Sequence, residues 1–305
     1  MTGGAHSLLV VGSIAFDSIE TPKGTVDDAL GGSATFFSYS ASFFTKPRLV
    51  GVVGDDFPEE HRRLFTGRGI DTAGLVTETG GKTFRWKGRY HQDMNTRDTL
   101  EVHLNVFGSF NPVLPEKFRS SSHVFLANGS PVIQARVLDQ IKKPTLVMAD
   151  TMDLWISTMH DELMALLPRL DGLFLNDSEA LLLTEESNLI KAGQAVRKLG
   201  PKFVIIKKGE HGATLFSEDG VFVIPGFPTH EVVDPTGAGD SFAGGLMGYL
   251  CSDDSPPPGR LRRAMAYGTI VASFTVEDFG LGRLKRTTRK EIDQRLETYR
   301  NMLAF

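Results

Sequence analysis

Asp234-Pro235-Thr236-Gly237-Ala238-Gly239-Asp240-Ser241-Phe242 is the most informative stretch of the 305-residue chain. Phe242, Leu246 and Leu250 continue it at i, i+4 and i+8, the spacing of one helix face. The string therefore predicts a loop of small residues entering a helix N-terminus. Backbone N–H groups there lack helical partners, and the helix dipole favours negative charge, so the turn suits an anion. Bulky side chains at 237 or 239 would block that approach. Asp240 falls on the first helical turn, beside the anion. A carboxylate in that place would repel a phosphate unless its task is to take a proton from an attacking hydroxyl. Phosphoryl transfer asks for little more: a positioned base, donors for the equatorial oxygens, and Mg²⁺. The plainer alternative is a glycine-rich turn with Asp240 as an N-cap, although a cap needs only one such residue.

Working outward, short apolar runs alternate with longer amphipathic stretches. The runs are Leu8 to Val11, Leu49 to Val53, Val124 to Ala127, Leu146 to Ala149, Leu173 to Leu175 and Phe203 to Ile206. They are continuous, as in strands buried on both faces of a parallel sheet. Helices are expected at about 33–45, 57–68, 131–142, 160–169 and 189–199. Such alternation predicts an α/β sheet with helices on both sides and ligands at the carboxyl edge of the strands. One segment breaks the pattern. In Thr83 to Tyr90, Arg85, Lys87 and Arg89 share one face at period two, while Phe84, Trp86 and Tyr90 share the other. It reads as a strand outside the main sheet, paired with Ser18 to Thr21 in a small lid. The linker-like stretch Ser252 to Gly259, with Pro256-Pro257-Pro258, reads as a loop between two helices.

Composition narrows the function. Lys plus Arg number 33 and Asp plus Glu 37, a net charge of −4, which argues against nucleic acid as a partner. Glycine is the outlier, at 32 residues and with no collagen period. Cys251 stands alone, so no internal disulfide and no Cys-based zinc site is expected, in keeping with a cytoplasmic location. The eight histidines show no metal spacing: His91 and His103 are twelve apart, and there is no HExxH. Neither a membrane span nor a signal peptide is expected.

The string at 234–242 resembles the C-terminal signature of the ribokinase-like (PfkB) carbohydrate kinases. The resemblance implies a ribokinase-like three-layer α/β sandwich with a mostly parallel central sheet and a small β lid. It also implies one kinase domain over 1–305, the lid formed by about 16–30 and 82–110. Asp240 would be the general base, and Gly237, Ala238 and Gly239 the anion hole. Asp234 would help hold a monovalent cation such as K⁺. Val11-Gly12-Ser13-Ile14-Ala15-Phe16-Asp17 looks like the family's first strand, whose Asp binds substrate hydroxyls. Gly31-Gly32 looks like the glycine pair that lets a sugar approach the backbone. Gly54-Asp55-Asp56-Phe57 and Gly69-Ile70-Asp71-Thr72 resemble the stretch that follows. Asp150 would point into the cleft. Asn176-Asp177-Ser178-Glu179 is similar to the Asn-x-x-Glu motif, with Asn176 near the phosphates and Glu179 acting through Mg²⁺-bound water. Read alone, that motif is equally an N-capped helix. Lys207-Lys208-Gly209-Glu210-His211-Gly212 resembles the nucleotide loop, with Gly209 and Gly212 admitting ATP. Lys207 replaces a commoner Thr and is expected to reach a phosphate as a point charge. Gly268 and Thr269 would line the adenine pocket, while Gly244 and Gly245 let the anion-hole helix pack on the sheet.

The family pattern fails at one place. Four residues after Gly32, Phe36 stands where an amide would bond a sugar hydroxyl. An apolar ring cannot make those bonds. Phe36 is therefore expected to face a less polar acceptor; the alternative puts it in the core, with Ser33 taking over. The stripe of Arg85, Lys87 and Arg89, with Arg97 beyond, is either an acidic-substrate site or a solvated strand face. Phe84, Trp86 and Tyr90 would cover substrate or pack a second lid in a homodimer. The expected activity is ATP- and Mg²⁺-dependent phosphorylation of a small polyol: a sugar, cyclitol or nucleoside. Two other classes stay open: a nicotinamide oxidoreductase, whose fingerprint is broken by Phe242, and a non-catalytic ligand sensor on a kinase fold.

Overall fold

The computed structural model describes residues 6–254 and 259–304. The chain begins β1 (Leu8–Val11), β2 (Ala15–Thr21), β3 (Gly24–Gly31), α1 (Ser33–Ala41), β4 (Arg48–Gly54), α2 (Glu59–Gly67) and β5 (Asp71–Glu78). It continues through β6 (Phe84–Tyr90), β7 (Arg97–His103), β8 (His123–Leu126), α3 (Pro131–Leu138), β9 (Leu146–Asp150), α4 (Asp153–Thr158) and α5 (His160–Leu166). Then come β10 (Gly172–Asn176), α6 (Asp177–Thr184), α7 (Leu189–Lys198), β11 (Phe203–Lys207), β12 (Ala213–Ser217) and β13 (Gly220–Ile224). Four helices close the chain: α8 (Ala238–Ser252), α9 (Gly259–Thr275), α10 (Gly282–Arg286) and α11 (Arg289–Leu303). Every apolar run read as a strand is one. The helices expected at 33–45 and 131–142 stop early, at Ala41 and Leu138. Pro256-Pro257-Pro258 lies outside the described residues.

Among the described residues the main sheet has nine strands in the order β13-β12-β11-β10-β9-β8-β1-β4-β5. All neighbours from β5 to β11 are parallel; β12 is antiparallel to both of its neighbours. Side chains alternate across a strand, so each apolar run feeds two cores. Leu8, Val10, Phe125, Phe174 and Ile205 join Phe36, Phe37, Phe242 and Leu246 on the α1, α8 and α9 side. Leu9, Val11, Val124, Leu173, Leu175 and Val204 join Val137, Leu163, Leu183 and Val196 on the other. That two-sided burial is why the runs are continuous rather than alternating.

A second, four-stranded sheet has the order β3-β2-β6-β7, with β2 and β6 parallel and paired from Ala15↔Phe84 to Glu20↔Arg89. The lid strand and its partner are thus as expected. The basic stripe is largely neutralised within the lid. Arg85 pairs with Asp28 and, at 3.2 Å, with Asp56; Lys87 and Arg89 lie 3.8 and 2.7 Å from Glu20. These three are a solvated ion-paired face, not a free anion site.

Gly244 and Gly245 do permit close packing, but against helices rather than the sheet. A Cβ at Gly244 would overlap the carbonyl of Phe37 on α1, and one at Gly245 would lie 3.0 Å from Val271 on α9. Helix α8 is therefore wedged between α1 and α9. Gly244→Ala is expected to cost about 1–3 kcal/mol by overpacking, read as a lower midpoint in chemical denaturation. An unchanged midpoint would show that the helices separate freely.

Candidate active site

The loop into α8 has the predicted geometry. Gly237 is the N-cap residue at φ 74° and ψ 2°, a left-handed conformation that favours glycine. A Cβ there would also overlap the ring of Phe36. The N–H of Ala238 is committed to Pro235 O at 3.2 Å. Of the expected anion-hole donors, those of Gly237 and Gly239 have no backbone acceptor among the described residues. Asp234 fastens the loop. Its buried carboxylate accepts Thr236 N–H at 2.8 Å and Gly280 N–H at 3.0 Å. Both oxygens serve the backbone, which gives Asp234 a structural task whether or not a cation binds beside it.

Asp240 is half-buried on the first turn of α8. Burial pushes its carboxyl up to about 7, and the charge of Asp150 adds to the rise. Lys207 and Arg97 act in the opposite direction. A carboxyl poised near neutrality is suited to accepting a proton.

Three strands end facing this turn. β9 ends at Asp150, β10 at Asn176 and β11 at Lys207. Lys207 Nζ lies 2.8 Å from Asp150 Oδ2, with the two side chains 18% and 6% exposed. The same Nζ is 3.3 Å from the point where a Cβ at Gly239 would stand. The ammonium therefore sits against the anion loop, as a phosphate-reaching lysine must. Burial depresses its pKa, but Asp150 and Glu179 more than compensate and raise it overall.

Asn176 and Glu179 form a capping box. Asn176 Oδ1 accepts Glu179 N–H at 2.7 Å, and Glu179 Oε2 accepts Asn176 N–H at 2.7 Å. Both readings of the motif are thus compatible in one geometry. The box uses one oxygen of each side chain and leaves the Asn176 amide nitrogen and Glu179 Oε1 without a hydrogen-bond partner among the described residues. Burial lifts Glu179 to about 7, Lys207 opposes this, and Asp150 adds to it. Among the described residues no group of three or more His, Cys, Asp or Glu side chains could hold a metal ion. A divalent cation here would rest mainly on phosphate oxygens and water, which is how Mg²⁺ commonly binds.

On the acceptor side, Asp17 is 5% exposed and accepts Gly32 N–H at 3.3 Å. Burial raises it to about 7; Gly32 N–H opposes this, and the charges of Asp234 and Asp240 add to it. Gly32 has φ 91°, and a Cβ on it would lie 2.6 Å from Ser13 O. A Cβ at Gly31 would overlap the Asp17 carboxylate. The glycine pair is thus demanded first by its own backbone and by Asp17.

Three expectations are corrected. Phe36 does not face an acceptor: it is 1% exposed and packs in the core beneath Gly237. Ser33 does not replace it, since its hydroxyl is buried against Ser13 N–H at 3.2 Å and Ser13 Oγ at 3.0 Å. Gly268 and Thr269 are buried in the α8–α9 interface. A Cβ at Gly268 would lie 2.7 Å from Phe242 O, and Thr269 Oγ1 donates to Met265 O at 3.0 Å in its own helix. Gly212 is required by its own turn, where a Cβ would overlap Ile224 O.

Sequence reasoning placed a lid at 82–110 but missed what the hairpin between β6 and β7 touches. The Tyr90 hydroxyl is 3.2 Å from Thr236 Oγ1 in the anion loop. Asn95 Oδ1 would meet a Cβ at Gly209 at 2.8 Å. The period-two pattern hinted that Tyr90 turns inward, but nothing local says toward what.

The sequence profile of pfkB family carbohydrate kinases matches residues 5–288. A cytidine kinase from Thermococcus kodakarensis is 30% identical over 249 residues, covering 79% of this chain and 88% of its own length. A nucleoside kinase from Methanothermobacter thermautotrophicus is 28% identical over 308 residues, covering 90% and 91%. The structure of aminoimidazole riboside kinase from Salmonella enterica, solved with aminoimidazole riboside and an ATP analogue, superposes with a TM-score of 0.76 at 20% identity. It covers 95% of this chain and 100% of that one. The architecture is therefore ribokinase-like, and with a family match over nearly its whole length the chain belongs to the pfkB family of carbohydrate kinases as a sugar or nucleoside kinase.

Proposed function

We propose that this kinase transfers the γ-phosphoryl group of ATP to a hydroxyl of a nucleoside, with Asp240 as the base. The observation that carries the reading is the half-buried Asp240 carboxyl, held near neutrality beside the free N–H groups of an αL helix entry. A sensor needs no base so tuned. Lys207 beside Gly239 offers a second positive group to the phosphate. Nucleosides are chosen over simple sugars because the two full-length relatives above are a cytidine kinase and a nucleoside kinase. The earlier argument for a less polar acceptor, which rested on Phe36, falls with its burial.

In this reading Asp17 orients the acceptor by accepting its hydroxyls, and Asp240 takes the proton of the attacking one. Gly237 and Gly239 N–H groups and the Lys207 ammonium bind phosphate oxygens. The free faces of Asn176 and Glu179 suit a hydrated Mg²⁺ and the phosphates it accompanies; when bound, the ion spreads the charge of the β- and γ-oxygens. Asp234 holds the loop in place. Among the described residues no helix is long and apolar enough to cross a membrane.

ADP release over a panel of cytidine, adenosine, inosine, ribose, fructose, myo-inositol and a keto-deoxy sugar acid is the direct test. Turnover is expected to be highest with a nucleoside; tight binding of one compound with no ADP formed would favour the sensor instead. Asp240→Asn should lower kcat by about 10²–10⁴ and leave ATP affinity intact; a near-normal kcat would refute the assignment. In the wild type, kcat/KM should rise with pH through about 7 as Asp240 ionises.

The same residue has a stability signature. A carboxyl raised in the folded state costs stability where the unfolded chain would ionise it freely, so the cost grows as pH rises toward and past the folded value. Asp240→Asn should therefore melt above the wild type at about pH 8, with the gap closing toward about pH 4. Equal melting temperatures at both pH values would show that the carboxylate is well solvated.

A further inference from the structure

A cavity of about 330 Å³ lies at the edge of the main sheet opposite the catalytic turn. The first residues of β8, β9 and β11 wall it: His123, Leu146 and Phe203. The β12–β13 hairpin, the end of α8 and the start of α9 complete it. β9 and β11 carry Asp150 and Lys207 at their far ends, about 13 Å away along the strand. None of the residues that wall this cavity belongs to the cleft described above.

Most of the wall is apolar. Leu215 and Leu250 are buried, while Leu146, Phe203, Phe222 and Leu261 are only half-buried. A dry cavity of about 150 Å³ takes benzene, so this space suits a ring with a short substituent. Two polar side chains are set into the wall. His123 is 2% exposed, with Nδ1 3.0 Å from Ser122 Oγ, and among the described residues its Nε2 makes no hydrogen bond. Burial, helped by the charges of His6 and Arg260 and opposed by that of Asp254, pushes its pKa down to about 4, so the ring is neutral. Arg260 is anchored at one end, where Nη2 donates to Leu250 O near the end of α8. Its Nε is buried and makes no hydrogen bond. A guanidinium N–H removed from water without an acceptor is destabilising, and a negatively charged acceptor answers it best. The remaining charges sit at the rim. Lys202 pairs with Asp171 at 2.7 Å, and Glu218, Asp219 and Arg262 are exposed, where solvent and salt screen them.

We propose that this cavity is a second ligand site, which takes a small aromatic monocarboxylate. The ring lies against the leucine and phenylalanine side chains, and the carboxylate accepts from Arg260. His123 donates beside it from Nε2, with the Ser122 hydroxyl turned to Nδ1. One guanidinium next to a neutral imidazole balances a single negative charge, which suits a carboxylate rather than a phosphate dianion. The site stands apart from phosphoryl transfer and does not depend on that reading.

Calorimetric titration of the full chain with cinnamate, and with its uncharged counterpart cinnamamide, tests the site in the presence and absence of Mg²⁺ and ATP. Cinnamate is expected to bind at one site per chain with a Kd below about a millimolar, and cinnamamide about tenfold more weakly or less tightly still. ATP should change neither affinity. Arg260→Met should bring cinnamate down to the affinity of the amide, and Arg260→Lys should recover part of the loss. Leu261→Trp, at a half-buried position, should fill the cavity and abolish binding of both compounds while keeping the far-UV circular dichroism of the wild type. No saturable binding, equal affinity for acid and amide, competition by ATP, or undiminished binding to folded Leu261→Trp would each overturn the proposal. A chain that binds cinnamate as expected but never releases ADP loses the kinase reading alone. One that phosphorylates a nucleoside but ignores cinnamate loses the second site alone.

Discussion

The ion pair between Lys207 and Asp150, at 2.8 Å, is the interaction on which the cleft depends. Asp17, Asp150, Glu179, Asp234 and Asp240 all converge on one edge of the sheet. So many carboxylates in a low-dielectric setting repel one another, and Asp17, Glu179, Asp234 and Asp240 each resist ionisation. Lys207 stands among Asp150, Glu179 and Asp240 and favours the charged form of the last two. Without it the edge would hold uncompensated charge, an arrangement that is strongly destabilising when buried. Asp234 is handled differently, by two backbone N–H groups rather than a cation. One buried ammonium and two amides therefore let an acid-lined site exist within a folded core.

That compromise explains why Asp17, Glu179 and Asp240 all sit near 7. A site that binds phosphate needs cations, and one that removes a proton needs a carboxylate that is not too acidic. Burial and mutual repulsion supply the second requirement; in the proposed reading Lys207 and the helix entry would supply the first. The packing beneath is equally constrained. Phe36 fills the space under Gly237, and Gly244 brings α8 onto α1, so the anion loop rests on close-packed core. Preorganised donors on such a support need not rearrange when charge develops.

The smaller sheet belongs to the same argument. Its outer charges are matched by Asp28 and Glu20 of the lid and by Asp56 just after β4. Its inward side is not self-contained: Tyr90 ends against Thr236 of the loop into α8, and Asn95 lies against Gly209.

The layers and much of the site were legible in the residues alone. Continuous apolar runs at Leu8 to Val11 and Phe203 to Ile206 had to be strands buried on both faces, because only a sheet between two cores hides every residue of such a run. The string around Gly237 and Asp240 specified a helix entry with free donors, since that chemistry is local. Asp150, Asn176 and Lys207 were placed at strand ends for the same reason. Only the tertiary structure decided what each residue faces across the fold. Phe36 was read toward substrate and turned out to support Gly237; Gly268 and Thr269 were read toward adenine and proved to be packing. Phe36 and Gly237 are about 200 positions apart in the chain, and no local periodicity or motif encodes a distance through space.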